Sequence, residues 1–223
     1  MILRYIYDIP RGCSTNIAID EVFFTKKNFE NTFRFYKWTH PAYTIGYFQK
    51  FHIDKNDNYP VVRRLTGGLS VLHNTDLSYS LIVSDNLWPY IYNQEQTYKI
   101  IHENIRKSLE VINIFCDKTN IENNNLKNYS CVQTLYKDDL LLNGKKIVGS
   151  CQRRRGRKIL VEGSIHLKLT EKQATLFVNE FFKNLSYTLK CDTINKSLTT
   201  EEIDLATKLC VEKYNTDKWN KLF

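Results

Sequence analysis

The chain has 223 residues, 42% hydrophobic and 25% charged, which suits one globular domain over residues 1–223 with a sizeable core. No apolar run reaches the roughly 18 residues a membrane span needs, and Met1-Ile2-Leu3-Arg4-Tyr5-Ile6-Tyr7-Asp8 lacks the layout of a signal peptide, so the expected location is the cytoplasm. The net charge of +8 favours an acidic partner: nucleic acid, a membrane surface or an acidic protein.

In chain order, residues 2–7 read as a strand and residues 15–26 as a helix capped by Ser14 or Thr15. Residues 33–38 and 43–48 alternate and are rich in aromatics, the pattern of two strands joined by a turn around Pro41. A short strand at 61–64 leads into Thr66-Gly67-Gly68, and 69–73 and 77–84 are again strand-like. Tyr98, Ile101, Ile105 and Leu109 fall at helical spacing within 94–110. The polar stretch Asn120-Ile121-Glu122-Asn123-Asn124-Asn125 reads as an exposed loop inside the domain. Leu140-Leu141-Leu142, Asn143-Gly144 and Lys145–Ser150 give a hairpin signal, because Asn-Gly is the preferred two-residue turn. Residues 158–167 continue the sheet. Residues 171–184 and 200–214 read as helices, the second capped by Thr199 or Thr200 with Glu202 close behind. Strands dominate the middle and helices the flanks. The expected fold class is α+β, with a mixed or antiparallel central sheet flanked by helices.

Four segments hold residues suited to chemistry. In Arg63-Arg64-Leu65-Thr66-Gly67-Gly68, paired glycines let the backbone approach a ligand, their N–H groups can face an anion, and two arginines can pair with it; the alternative is a tight turn between strands. Lys146, just after the Asn143-Gly144 turn, can point into a cleft and polarise a carbonyl or phosphate, or can be a solvated hairpin lysine. Cys131 is a candidate nucleophile if an ammonium lowers its pKa, and otherwise a core thiol. Arg153-Arg154-Arg155-Gly156-Arg157-Lys158 can touch phosphates or form a solvated loop; no alternating aromatics surround it to stack bases. The six cysteines, Cys13, Cys116, Cys131, Cys151, Cys191 and Cys210, include no Cys-x-x-Cys pair and have no histidine near enough for a zinc cluster, so no metal site is expected.

Taken together these segments resemble the lipoate–protein ligase and octanoyltransferase family, which shares its catalytic fold with biotin–protein ligases. Asn16–Glu21 resembles that family's first helix. Phe33-Arg34-Phe35-Tyr36-Lys37-Trp38 with Thr44–Gln49 resembles its "RFYxW…SxGYFQ" strands. Val62–Gly68 through His73 resembles "RRxTGGxxVxH". Gly144–Ser150 followed by Gln152-Arg153 resembles "GKKIxGSxQR". Leu198–Glu202, Glu212-Lys213-Tyr214 and Trp219-Asn220 resemble the closing helices. The family contains ligases, which activate free lipoate with ATP, and transferases, which take octanoyl or lipoyl from a carrier or another lipoylated protein through a cysteine thioester. Cys131 lies fifteen residues before Lys146, where the transferase branch keeps its nucleophile, and the chain ends soon after Asn220, without the extra domain of many bacterial ligases.

The resemblance therefore implies a biotin/lipoate ligase-like catalytic domain that moves octanoyl or lipoyl to a lysine. Cys131 and Lys146 would be its catalytic residues, and Arg63, Arg64, Thr66, Gly67, Gly68, His73, Gly149 and Ser150 would bind substrate. The donor would be an acyl-carrier protein or a lipoylated protein, and the acceptor a lipoyl-domain protein. No cofactor would be required beyond the transferred octanoate or lipoate; ATP and Mg would enter only for a ligase. Neither membrane nor nucleic acid is an expected partner. An ATP-dependent ligase and a non-enzymatic basic binding module stand as alternatives. Three positions depart from the family pattern: Leu69-Ser70 follows the glycine pair where arginine or glycine is common, Asn74 follows His73 in place of aspartate, and Glu162-Gly163-Ser164 stands where "HGS" is usual.

Overall fold

A computed structural model describes residues 1–51, 58–119 and 135–223. Its strands are β1 (Ile2–Tyr7), β2 (Thr32–Tyr36), β3 (Ala42–Ile45), β4 (Val61–Arg63), β5 (Val71–His73), β6 (Leu77–Ser84), β7 (Asp117–Lys118), β8 (Leu140–Leu142), β9 (Lys145–Arg155), β10 (Lys158–Ile165) and β11 (Asp192–Asn195). Its helices are α1 (Cys13–Thr25), α2 (Gln94–Glu110), α3 (Glu171–Leu189), α4 (Thr200–Leu209) and α5 (Asp217–Asn220).

An eight-stranded sheet runs β11-β1-β2-β6-β10-β9-β8-β7. β1 is parallel to both its neighbours and the remaining pairs are antiparallel, so the sheet is mixed, as expected. A second sheet, β4-β3-β5, packs beside it. One face of the large sheet is covered by α2 and α3, whose Ile101, Ile105, Phe177 and Phe181 pack on Phe33, Phe35 and Tyr79. The other face is covered by α1 with Ala206 of α4. Cover on both faces explains why β2 and most of β6 are buried at every residue rather than every second one.

The helix caps are written locally. Asn93 accepts from the N–H of Gln96, and Thr170 with Gln173 and Thr199 with Glu202 form complete capping boxes. Helix α1 differs from expectation: it starts at Cys13, and Gly12 offers no side-chain cap. Its first turn is held by tertiary bonds instead, with Asn16 Nδ2 donating to the carbonyls of Arg11 and Lys37. The expected helix 200–214 divides into α4 and a π-helical turn over Cys210–Tyr214, which places the Tyr214 hydroxyl 2.6 Å from Glu21. β2 and β3 are not paired with each other; the chain crosses between sheets from Trp38 to Ala42. Nor is 153–158 a loop. Arg153–Arg155 end β9, Arg153 lies 4.4 Å over the Tyr47 ring, and Arg154 donates to the Ile91 carbonyl.

Candidate active site

Cross-strand register aligns Tyr36, Ser78, Ser164 and Gly149 in one row across β2, β6, β10 and β9. Three of the four are small, so the row is a depression in the sheet. Ile17 of α1 and Thr44, Val71 and His73 of the small sheet close over it, forming a cleft. Cys151 and Glu162, paired across β9 and β10, form the next row.

Lys146 enters this cleft because β9 carries a bulge. Leu140 pairs with Val148 but Leu141 pairs with Lys146, so Ile147 is an extra residue. In a regular strand Lys146 would share a face with Val148 and Ser150, toward α2. The bulge re-aims it toward the face of Gly149. There its ammonium stands 2.6 Å from Asp139 Oδ2, with both side chains at most 5% exposed. A Cβ at Gly149 would lie 2.5 Å from Lys146 Cε, so a glycine seats the lysine. The solvated-hairpin reading therefore applies to the turn and to Lys145, which is exposed, and not to Lys146. The turn itself has φ of 51° at Asn143 and 74° at Gly144, the left-handed pair a type I′ hairpin needs.

The Gly67-Gly68 turn packs closely against Gly46. Gly68 has φ of 89°, and a Cβ on Gly46 would meet the Gly68 carbonyl oxygen at 1.9 Å. Arg63 departs from the expected anion-pairing role: it donates to the main-chain carbonyls of Gly46, Tyr47, Gln49, Trp219 and Asn220 and is not exposed. Its guanidinium clamps segments together. Arg64 lines the cleft and also grips the turn, donating to the carbonyls of Gly67 and Leu69 and to Thr66 Oγ1. Thr66 in turn donates to Glu162 Oε2 and lies 3.0 Å from Cys151 Sγ.

His73 lines the cleft, stacked on Trp38 at 4.1 Å. It bonds Thr44 Oγ1 through Nε2 and Asp76 through Nδ1 at 2.8 Å. Burial alone would raise the Asp76 carboxyl, but the charge and hydrogen bond of His73 hold it well below the usual carboxylate range. Asp76 thus supplies the carboxylate that position 74 lacks. Ser150 is among the residues that line the cleft. Its hydroxyl faces away from the cleft, toward α2, and bonds Tyr79 and His102. Cys131 lies outside the described residues.

Sequence reasoning passed over Asp139, Asp76 and His102, and left Glu162 without a role. Asp139 had a signal: it lies just before the hairpin strand that faces Lys146. Glu162 is 4% exposed, and among the described residues its Oε1 has no hydrogen-bond partner. Burial, and then the neighbouring Asp20 carboxylate, push its pKa up to about 7. A carboxyl raised in the folded state contributes full stability below its unfolded value; that stability is lost as pH rises through the folded value. From an ordinary value of 4.5 to about 7, the loss is roughly 3 kcal/mol. Thermal stability is therefore expected to fall between about pH 5 and pH 8, and Glu162→Gln is expected to flatten that fall. Melting curves across this range check it; an unchanged slope in the variant would show that Glu162 does not titrate there.

The lipoyl protein ligase A/B catalytic domain model matches residues 13–200. The chain is 30% identical to octanoyltransferase LipM of Clostridioides difficile (strain 630), covering 98% of each chain. It is 28% identical to octanoyltransferase LipM of Brevibacillus brevis, covering 97% of this chain and 98% of that one. Among solved structures, a lipoate-protein ligase A bound with ATP superposes with a TM-score of 0.78 at 21% identity, covering all of both chains. The bipartite lipoate protein ligase of Thermoplasma acidophilum, solved in a study that includes its E2 lipoyl domain, superposes with a TM-score of 0.75 at 20% identity over 100% of this chain and 98% of that one. At these identities the structures show a shared fold, whereas the family model and the near-full-length relatives show descent: the chain belongs to the lipoyl protein ligase A/B catalytic domain family.

Proposed function

We propose that this chain is an octanoyltransferase that moves an octanoyl group from a carrier thioester to a lysine of a lipoyl-domain protein. The match over nearly the whole length of octanoyltransferases carries this reading. The cleft, with an apolar wall of Ile17, Trp38 and Val71 and a buried lysine–aspartate pair, supports it.

The reaction has two balanced steps. The Cys131 thiolate attacks the carbonyl carbon of the donor thioester. A new C–S bond forms, the donor C–S bond breaks, and the donor thiolate leaves and takes up the proton that Cys131 gave up. The ε-amine of the acceptor lysine then attacks the acyl-cysteine. An amide C–N bond forms, the cysteine C–S bond breaks, and the amine proton returns to the cysteine sulfur. Lys146 stabilises the charge that develops on the carbonyl oxygen in both steps. Splitting the transfer through a covalent intermediate lowers its hardest barrier. The acyl chain lies along the small-residue row, where each buried methylene contributes about 0.8 kcal/mol. The +8 charge suits docking of acidic carrier and lipoyl domains.

Octanoyl-carrier protein mixed with this chain and an acceptor lipoyl domain in ATP-free buffer is expected to give octanoylated acceptor, read by intact mass. Acylation that occurs only with ATP and free lipoate or octanoate would move the chain to the ligase reading.

A further inference from the structure

On the far side of the cleft floor lies a second polar cluster, centred on a buried histidine. His102 of α2 is 1% exposed. Its Nδ1 lies 2.8 Å from the Asp138 carbonyl oxygen and its Nε2 lies 2.7 Å from Ser150 Oγ. Ser150 Oγ also lies 2.6 Å from the Tyr79 hydroxyl. A carbonyl accepts and does not donate, so Nδ1 carries a proton. Burial pushes the ring's pKa below its usual value, so Nε2 is the bare nitrogen. Ser150 then donates to Nε2, and Tyr79 donates to Ser150. Every hydrogen bond in this chain has one direction.

Asp138 has φ of 66°, a left-handed conformation that costs a non-glycine residue energy and persists only where surroundings hold it. The His102 bond to its carbonyl is one such hold, and the Asp138 N–H bond to Thr119 O is another. The next residue, Asp139, is the ion-pair partner of Lys146 and accepts from the Tyr136 N–H. Ser150, at the other end of the imidazole, follows Gly149, on which the Lys146 side chain lies. One ring thus joins the corner that carries the lysine's counter-ion to the strand that carries its seat.

We propose that His102 is a positioning residue for Lys146: by holding the Asp138 carbonyl it fixes the Asp138–Asp139 corner, and with it where the lysine ammonium stands in the cleft. This inference rests on the reading in which Lys146 acts in transfer. The acyl cleft is on the opposite face of the sheet, so His102 affects turnover and not capture of the acyl chain.

Two isosteres separate the links. In His102→Asn the amide nitrogen falls near the place of Nδ1 and keeps the Asp138 bond. In His102→Gln the amide falls near Nε2, keeps a partner for Ser150 and releases Asp138. With octanoyl-carrier protein as donor, His102→Gln is expected to lower kcat by about 100-fold, the cost of a misplacement on the order of 1 Å, with KM nearly unchanged. His102→Asn is expected to recover most of that loss. Equal losses in both variants, in step with the folded fraction by circular dichroism, or full activity in both, would overturn the proposal. A measurement on the intact protein needs no variant: nitrogen NMR of labelled histidine should show a neutral Nδ1–H tautomer for His102. The Nε2–H tautomer would mean that the Asp138 bond does not exist, and would overturn the proposal even if the variants fail to fold. Lys146→Met run alongside keeps the two readings apart. Retained transfer in that variant refutes the role of Lys146 itself; lost transfer there with a fully active His102→Gln refutes only the positioning role.

Discussion

Lys146→Met is expected to lower kcat/KM for octanoyl transfer by roughly 10²- to 10³-fold, the usual cost of removing a donor aimed at a developing oxyanion. The variant is also expected to lose stability, which a solvated hairpin lysine would not predict. The ammonium is buried against Asp139 at 2.6 Å, and removing one member of a buried pair costs about 3–5 kcal/mol, because the other charge is left without compensation. The two losses can be parted. Asp139→Asn removes the stranded charge and keeps an acceptor for the Tyr136 N–H. The double variant Lys146→Met/Asp139→Asn is therefore expected to regain much of the stability of Lys146→Met and none of its transfer. Denaturant unfolding and steady-state rates of the four proteins in this cycle check it. Near-normal transfer by folded Lys146→Met would refute the assigned role and leave Lys145 as the candidate.

The elements that the sequence placed correctly are those whose signal is local. Helix α2 has its cap, Asn93, and its apolar spacing within its own span, and it runs over Gln94–Glu110, the range the spacing marks. The Thr199–Glu202 capping box and the Asn143-Gly144 turn are likewise complete within a few residues. What could not be read depends on distant partners. β11 is a mostly exposed edge strand that exists because it pairs in parallel with β1, at the opposite end of the chain. The division of the strands into two sheets follows from β2 pairing with β6 while β3 pairs with β4 and β5, which alternation does not encode.

The site was legible as a set of segments and less so as a geometry. The resemblance drew Cys131, Lys146, Arg63, Arg64, Thr66, Gly67, Gly68, His73, Gly149 and Ser150 together, and the structure places Lys146, Gly149, Ser150, Arg64 and His73 around one cleft, with Thr66 bonded to its Glu162. Which way each side chain points was not legible. Alternation along β9 puts Lys146 on the same face as Ser150, and a one-residue bulge at Ile147 reverses this. A bulge is set by how strand pairs fit, and nothing in Lys145-Lys146-Ile147-Val148 announces it. Arg63 and Arg64 are adjacent and look equivalent in sequence. One is spent on five carbonyls and the other edges the cleft. Part of that difference comes from α5, whose Trp219 and Asn220 carbonyls accept from Arg63.

Cys131→Ser is expected to reduce transfer to background, and Cys151→Ser is expected to retain most of it. Cys131 lies outside the described residues, so its assignment rests on the resemblance and on its place fifteen residues before Lys146. Serine is close to cysteine in size but is a far poorer nucleophile near neutral pH, because its hydroxyl keeps its proton without a strong base. Cys151 is the thiol that the cleft itself displays, which makes it the natural rival. Its surroundings argue against it. Its Sγ donates to the Glu162 carbonyl at 3.5 Å, and a thiol acting as donor holds the proton that a nucleophile must lose. Beside it stand a hydroxyl, Thr66 Oγ1 at 3.0 Å, and across the strand pair a carboxyl, Glu162. A serine at 151 can keep the bond to Thr66, so folding and transfer should both survive. Wild-type protein incubated with octanoyl-carrier protein and no acceptor is expected to hold one octanoyl group on the peptide containing Cys131, released by hydroxylamine as a thioester is. An adduct on the Cys151 peptide, or full activity in Cys131→Ser, would remove the thioester at Cys131 from the mechanism. The second of those results, with no adduct on any cysteine, would favour direct, ATP-dependent attachment in the same cleft.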